Sequence, residues 1–350
     1  VAKIGFPKLK KNGIPMNGAI IGGKTNKKRI NPIITLTNYQ ILYAGLEFRK
    51  MKIAVIGDVM LDEYAFGSVE RISPEAPVPV FLYKSSKFMP GGAANVALNL
   101  VRLGFEVYLF GIIGEDEDGE RLANLCEDLG INFRFYKGSL RTLKKTRLLA
   151  KHHHVLRIDY EERFPESDAY GLLDLININV DAVVVSNYDK GTVIPETLNF
   201  VRKRFPDKLK AIDPKSLMWE ARGFDIVKPN LTEISSALHR KLLSIEDVLQ
   251  ASREIFNTLK PEALISTMGD RGMWIITYNR EIYVPAYRRE VYDITGAGDT
   301  VLAWVVWGRL QNLDWEEIGR WSAKAAAVSV SKLGAYAPTI DEVLKEFPTL

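Results

Sequence analysis

From Met51 onward the chain alternates short runs of β-branched and aliphatic residues with longer stretches in which apolar side chains recur every three or four positions. Runs of the first kind are Lys52–Gly57 (KIAVIG), 107–113 (VYLFGII), 181–186 (DAVVVS), 210–213 (KAID), 225–228 (DIVK) and Ala263–Thr267 (ALIST). They are apolar for most of their length, as strands covered on both faces must be. Helical spacing fills the intervals at 93–103, 119–129, Pro195–Arg204, 232–238 and Ile245–Leu259. Repeated strand–helix units predict an α/β fold, with a mostly parallel central sheet between two helical layers.

Two stretches break that alternation. Residues 78–83 and 146–160 read as half-exposed strands with no helix between them, and so predict a small separate sheet. A sheet standing apart from the core must cover a ligand cleft, a second copy of the chain, or both. Its strands are expected from about 64–90 and 132–162. No linker rich in Pro, Gly or Ser divides 51–350, which points to one core carrying a lid.

Composition narrows the class. Of 350 residues, 47% are apolar and 26% charged, which excludes disordered, collagenous and coiled-coil chains. A lone cysteine, Cys126, can form neither an internal disulfide nor a cysteine zinc site, and suits a reducing, cytoplasmic setting. No stretch approaches the ~18 consecutive apolar residues of a spanning helix, so no membrane partner is expected. Residues 1–50 hold ten basic side chains and one acid, leaving 37 basic against 42 acidic in the remainder, a net of −5. The basic balance therefore belongs to an N-terminal extension, read as lying outside the core, and nucleic acid is disfavoured as a partner.

The segment 291–304 carries the strongest chemistry. Gly296 and Gly298 open a helix whose apolar face continues through Val301, Leu302, Val305 and Val306. Glycines at a helix N-terminus let backbone N–H groups converge, and the helix dipole adds positive potential; Gly296, Ala297 and Gly298 thus form a candidate anion hole. Asp299, in the first turn, is placed to take a proton from a hydroxyl attacking a phosphoryl group. Gly91 and Gly92 precede a helix bearing Asn95, an arrangement that lets a polyol approach the backbone. Asp58 and Asp62 lie just past the first strand, where open α/β sheets bind ligands. Asn230 and Glu233 stand one helical turn apart, a spacing that suits oxygen coordination of Mg²⁺ through water or equally a capping box. Neither a P-loop nor a dinucleotide-binding glycine fingerprint is present.

Taken together, Gly91-Gly92-x-x-Asn95, Asn230-x-x-Glu233 and Asp293-x-Thr-Gly-Ala-Gly-Asp299 resemble the signatures of the ribokinase-like (PfkB-type) sugar kinases. Further stretches, Gly57-Asp-Val-Met-Leu-Asp62, Arg71-Ile-Ser-Pro-Glu-Ala-Pro-Val-Pro-Val80 and Ile212-Asp-Pro-Lys215, are similar to those kinases of the family that phosphorylate D-glycero-D-manno-heptose 7-phosphate at its anomeric hydroxyl. The resemblance implies a three-layer α/β/α fold with a β-sheet lid, ATP and Mg²⁺ as cofactors, and a monovalent cation near Asp293. It implies Asp299 as base, Gly296 to Gly298 as anion hole, and Asn230 and Glu233 near the metal. It also implies Thr267, Gly269, Gly272 and Lys324 in the nucleotide pocket, and a lid shared across a homodimer. A phosphorylated sugar needs cations, for which Lys145, Arg147 and Arg157 are the candidates.

Three departures from that pattern stand out. Ser186-Asn187-Tyr188 replaces the usual Ser-Asp-Tyr, Lys324 replaces an asparagine, and His152 to His154 replace uncharged polar residues. Histidines alternating along a strand cannot all ligate one metal, so a surface strand is expected there. With only those three and His239, the His-x-x-His motif of the nucleotidyltransferase fused to some heptose kinases is not expected. Competing readings are a kinase of the same fold for ribose, fructose or 2-keto-3-deoxygluconate, and a non-catalytic regulator that kept the fold.

Overall fold

The central strand, β1 (Lys52–Gly57), sends Ile53 and Val55 to one face and Ala54 and Ile56 to the other, all fully buried. Side chains that alternate along a pleated strand create two separate cores, and helices close both. In this computed structural model, which describes residues 50–151 and 153–348, the main sheet has nine strands. To one side of β1 lie β4 (Glu106–Ile113) and β5 (Asn132–Lys137). To the other lie β8 (Ala182–Ser186), β9 (Leu209–Asp213), β10 (Ile226–Val227), β11 (Ala263–Thr267), β12 (Met273–Thr277) and β13 (Glu281–Val284). All neighbours run parallel up to β11; β12 and β13 return antiparallel.

One face is covered by α1 (Ala93–Arg102), α2 (Glu117–Asp128), α7 (Ala297–Leu310), α8 (Trp315–Val330) and α9 (Ile340–Glu346). The opposite face takes α3 (Glu166–Asp174), α4 (Pro195–Arg204), α5 (Leu231–Ala237) and α6 (Ile245–Leu259). The expected helices form within a residue or two of their predicted ends, because the caps are local: Asp116 accepts from Gly119 N at 2.8 Å to start α2, and Ser244 accepts from Asp247 N at 3.0 Å to start α6. Trp304 of α7 stacks on Trp321 of α8 at 5.8 Å between ring centroids, and Trp307 meets Trp321 edge-on at 5.6 Å. That apolar clamp fixes the helix whose N-terminus carries the candidate anion hole.

The small sheet contains β2 (Val59–Ile72), β3 (Pro79–Gly92), β6 (Lys144–Ala150) and β7 (His153–Tyr160), in the order β3-β2-β6-β7. Only Asp58 separates β1 from β2, so the lid grows directly out of the central strand. The expected lid segment 132–162 needs correction: β5 pairs with β4 and is the edge of the main sheet. Phe133 and Phe135 pack on one core and Tyr136 on the other, while Asn132, Arg134 and Lys137 are exposed, so this half-exposed edge strand has the same sequence pattern as a lid strand. The lid's inner face buries Tyr64, Met89 and Leu149, whereas Ile72, Val78, Leu82, Tyr83 and Leu156 are exposed farther out. The expectation for residues 1–50 falls, Lys50 apart, outside the described residues, as does His152; His153 and His154 are exposed on β7.

Candidate active site

The parallel strands β1, β8, β9, β10 and β11 are adjacent, and their carboxyl ends define one edge of the sheet. Asp58, Asn187 and Tyr188, Asp213, Lys228 and Thr267 stand at or just beyond those ends. Connections diverge to either side of β1, and such a switch point opens a crevice above the strand ends.

Asp299 is the centre of the cluster. It is 3% exposed; its Oδ2 accepts from Asn95 Nδ2 at 2.8 Å and its Oδ1 from the Tyr188 hydroxyl at 2.7 Å. Burial drives its pKa up to about 7, Asp213 adds to the rise, and the Asn95 and Tyr188 hydrogen bonds and the Lys228 charge hold it down. A carboxyl poised there exchanges protons readily at neutral pH. Beside it α7 begins at Gly296, whose φ of 79° is left-handed and whose added Cβ would strike Asn95 Nδ2 at 2.5 Å. No side chain caps α7, and Ala297 N makes only a 3.4 Å bond to the Ile294 carbonyl, so this N-terminus is a candidate to donate to an anion.

Three groups that the sequence pattern did not single out complete the floor. Tyr188 comes from the loop after β8, Asp213 ends β9 and Lys228 follows β10. Lys228 Nζ lies 2.8 Å from Asp213 Oδ2. Burial works against its charge, but Asp213 and Glu233 more than offset that and raise its pKa, so it stays an ammonium. Asp213 Oδ1 is buried and has no hydrogen-bond partner. Asn230 and Glu233 form a full capping box: Asn230 N and Nδ2 donate to Glu233 at 2.9 and 2.7 Å, and Glu233 N donates to Asn230 Oδ1 at 3.0 Å. Burial and the nearby Asp213 raise the Glu233 pKa. Asp213, with an unused oxygen, and Glu233, whose oxygens each accept a single bond from Asn230, keep lone pairs that fit a hydrated divalent cation, while the Asn230 oxygen already accepts from Glu233 N.

A family model described as pfkB family carbohydrate kinase matches residues 50–342. The chain belongs to the pfkB family. The bifunctional protein HldE of Haemophilus influenzae strain PittEE is 36% identical over 296 residues, covering 82% of this chain and 62% of that protein. The HldE of Shewanella piezotolerans is 37% identical over 294 residues, covering 82% of this chain and 61% of its own length. The chain thus spans about three-fifths of these relatives. Among solved structures, phosphofructokinase-2 of Escherichia coli, in a complex with potassium, superposes with a TM-score of 0.72 at 19% identity, covering 85% of this chain and 97% of that one. Ribokinase of Thermotoga maritima gives 0.65 at 22% identity, covering 85% and 100%. These two establish the ribokinase-like fold.

Other residues expected to serve a pfkB-family site take varied positions. Both Asp58 oxygens accept backbone N–H bonds, from Tyr188, Lys190 and Thr192 at 2.7–3.2 Å. Fully buried, Asp58 braces the loop carrying Tyr188 and has no surface to offer a sugar. Asp62 lies four residues into β2, 2.6 Å from Arg147 Nη1, both buried. Gly91 and Gly92 serve close packing: a Cβ on either would come within 2.4 Å of Asp62 Oδ2 or the Asp58 carbonyl. Arg147 and Arg157 face each other across β6 and β7, yet Arg157 is exposed and paired with Asp159 at 2.8 Å. Lys145 reaches Glu161 at 3.5 Å, and Lys190 reaches the same carboxylate at 3.0 Å. Thr267, Gly269 and Gly272 gather at the turn after β11, next to Asn230. Lys324 is buried, its ammonium 5.5 and 5.7 Å from the ring centroids of Tyr287 and Phe347, which pack edge-on against each other. Asp293 accepts from the Tyr64 hydroxyl, Thr295 N and Oγ1, and Gly334 N. Four donors fill its lone pairs, so this carboxylate does not fit as a direct ligand of the expected monovalent cation. Asn187 donates to the Pro214 carbonyl at 2.8 Å, a bond the usual aspartate could not make. Among the described residues no helix is long and apolar enough to cross a membrane, and no three His, Cys, Asp or Glu side chains cluster to hold a metal ion.

Proposed function

We propose that this pfkB-family chain transfers the γ-phosphoryl group of ATP to the anomeric hydroxyl of D-glycero-D-manno-heptose 7-phosphate. One observation carries the chemistry: a buried carboxyl with a pKa near 7, oriented by Asn95 and Tyr188, stands in the first turn of a helix whose N-terminus no side chain caps. Asp299 takes the proton of the attacking hydroxyl as its oxygen bonds to phosphorus and the bond from phosphorus to the ADP oxygen breaks. The N–H groups at Gly296 to Gly298 receive the negative charge on the equatorial oxygens. When bound, ATP supplies the phosphoryl group and Mg²⁺ neutralises its phosphates; Glu233 and Asp213 are the residues to hold that ion through water. Thr267, Gly269 and Gly272 border the nucleotide side.

The sugar assignment is supported by the match to HldE over 82% of the chain and by the stretches 57–62, 71–80 and 212–215. Lys145, with Lys190 beside it, is the best-placed cation for the sugar's own phosphate, since Arg147 is occupied inside the lid. The exposed apolar residues of the lid, Leu82, Tyr83 and Leu156 among them, support a homodimer formed through it. Release of ADP with the heptose 7-phosphate, fructose 6-phosphate, ribose, fructose and 2-keto-3-deoxygluconate as acceptors tests the reading. The heptose phosphate should give the highest kcat/KM by at least tenfold; preference for an unphosphorylated sugar would replace it with the other-sugar reading, and no turnover with any would favour the regulator.

A further inference from the structure

Lys228 is 1% exposed, and this inference about it rests on the kinase reading above. A Cβ added to Gly298 would lie 3.6 Å from Lys228 Nζ and would meet nothing else within 4 Å. The ammonium therefore looks across a small open gap at the second residue of α7, where the uncapped N–H groups converge. Asp213 holds it from behind at 2.8 Å, while Asp213, Glu233 and Asp299 all act on its charge. With three carboxylates around one ammonium, an incoming phosphoryl group would be repelled unless a cation stood at the cradle itself. Lysine suits that position as a compact point charge at the end of a flexible stem.

We propose that Lys228 is a catalytic residue whose ammonium contacts the phosphoryl group in transit at the N-terminus of α7, with Asp213 as the positioning residue that aims it. The group it touches is the γ-phosphoryl, so its loss should distinguish nucleotides that carry one from those that do not. In the full chain, Lys228→Met should weaken AMP-PNP binding, read by calorimetry, by about tenfold or more, as expected for a charge-assisted hydrogen bond, and leave ADP binding within twofold. Turnover should fall by ~10²-fold or more. Combining it with Asp213→Asn removes the carboxylate that Lys228→Met leaves unpaired. If the lysine only neutralises Asp213, the double variant binds AMP-PNP as well as Asp213→Asn alone and the proposal is overturned; a loss beyond that of Asp213→Asn alone supports it. Should Lys228→Met not fold, Gly298→Ala keeps the ion pair and places a methyl in the gap without a clash. That variant should lose AMP-PNP affinity and turnover at unchanged thermal stability, and normal values for both would overturn the proposal. A wild-type chain that binds AMP-PNP and turns over while Lys228→Met weakens ADP and AMP-PNP equally sinks only the role of Lys228. A wild-type chain that binds neither nucleotide removes the kinase reading and this inference with it.

Discussion

The floor of the cleft and the lid above it treat charge in opposite ways. On the lid each basic side chain of β6 and β7 has a carboxylate at hand: Lys144 meets Glu63 and Asp118, Lys145 meets Glu161, Arg147 meets Asp62 and Arg157 meets Asp159. Farther out the lid exposes apolar side chains, Ile72, Leu82, Tyr83 and Leu156, beside charged ones such as Arg71, Lys84 and Lys87. On the floor, Asp213, Glu233 and Asp299 crowd one ammonium, an Asp213 oxygen goes unused and the Asp299 pKa climbs to about 7. Beside the cleft the lid pairs its lysines and arginines of β6 and β7 with carboxylates; the floor holds acidic charge in excess, which a metal–nucleotide complex would relieve.

Asp299→Asn should break the comparison most visibly. Without the base, turnover should fall at least ~10²-fold, as when a preorganised group that acts in the transition state is removed. The folded pKa of Asp299 lies above its ordinary value of 3.8, so protonation supports the fold fully below about pH 4, and that support is lost as pH rises through about 7. The asparagine variant should therefore melt no lower than wild type at pH 8, and a lower melting temperature there would show the carboxylate to be structural. Arg147→Met tests the lid by leaving Asp62 buried and unpaired, at ~3–5 kcal/mol in urea unfolding. Adding Asp62→Asn should recover most of that, and failure to do so would show that the pair is not self-contained. Tyr188→Phe sharpens the picture of the floor. Its hydroxyl helps hold the Asp299 pKa down, so the pH–rate profile should rise through a more alkaline midpoint, with the loss concentrated below pH 7. Tyr83→Glu on the exposed lid should change turnover least, yet shift the proposed dimer to monomer in sedimentation; an unaltered dimer would place the contact elsewhere, and a monomeric wild type would remove the dimer.

Much of this was legible before any coordinates. The positions of Asp299, Gly296 and Asn95 followed from small residues at helix starts, because a helix N-terminus is built from consecutive residues. The strands of the main core followed from apolar runs. Tyr188, Asp213 and Lys228 were missed, although a weak signal existed: KAID and DIVK each end an apolar strand on a charge, at the end where α/β sheets bind ligands. Asp58 and Asp62 carried the same kind of signal and turned out to brace a loop and pair with an arginine. Spacing could not separate those outcomes, since an aspartate that caps a loop and one that faces a ligand sit in identical local sequence.

By itself the sequence determined the α/β class, the helix ends set by local caps, and the glycine-opened turn beside Asp299, all of which depend on residues within a few positions of one another. Only the tertiary structure decided which charges meet. Lys228 faces Asp213 because β9 and β10 are neighbours in register, and Tyr188 reaches Asp299 across 111 residues of chain. Electrostatic energy falls with distance in space and takes no account of distance along the chain, so the protonation states that make the floor reactive arise only once the sheet has brought those strand ends together.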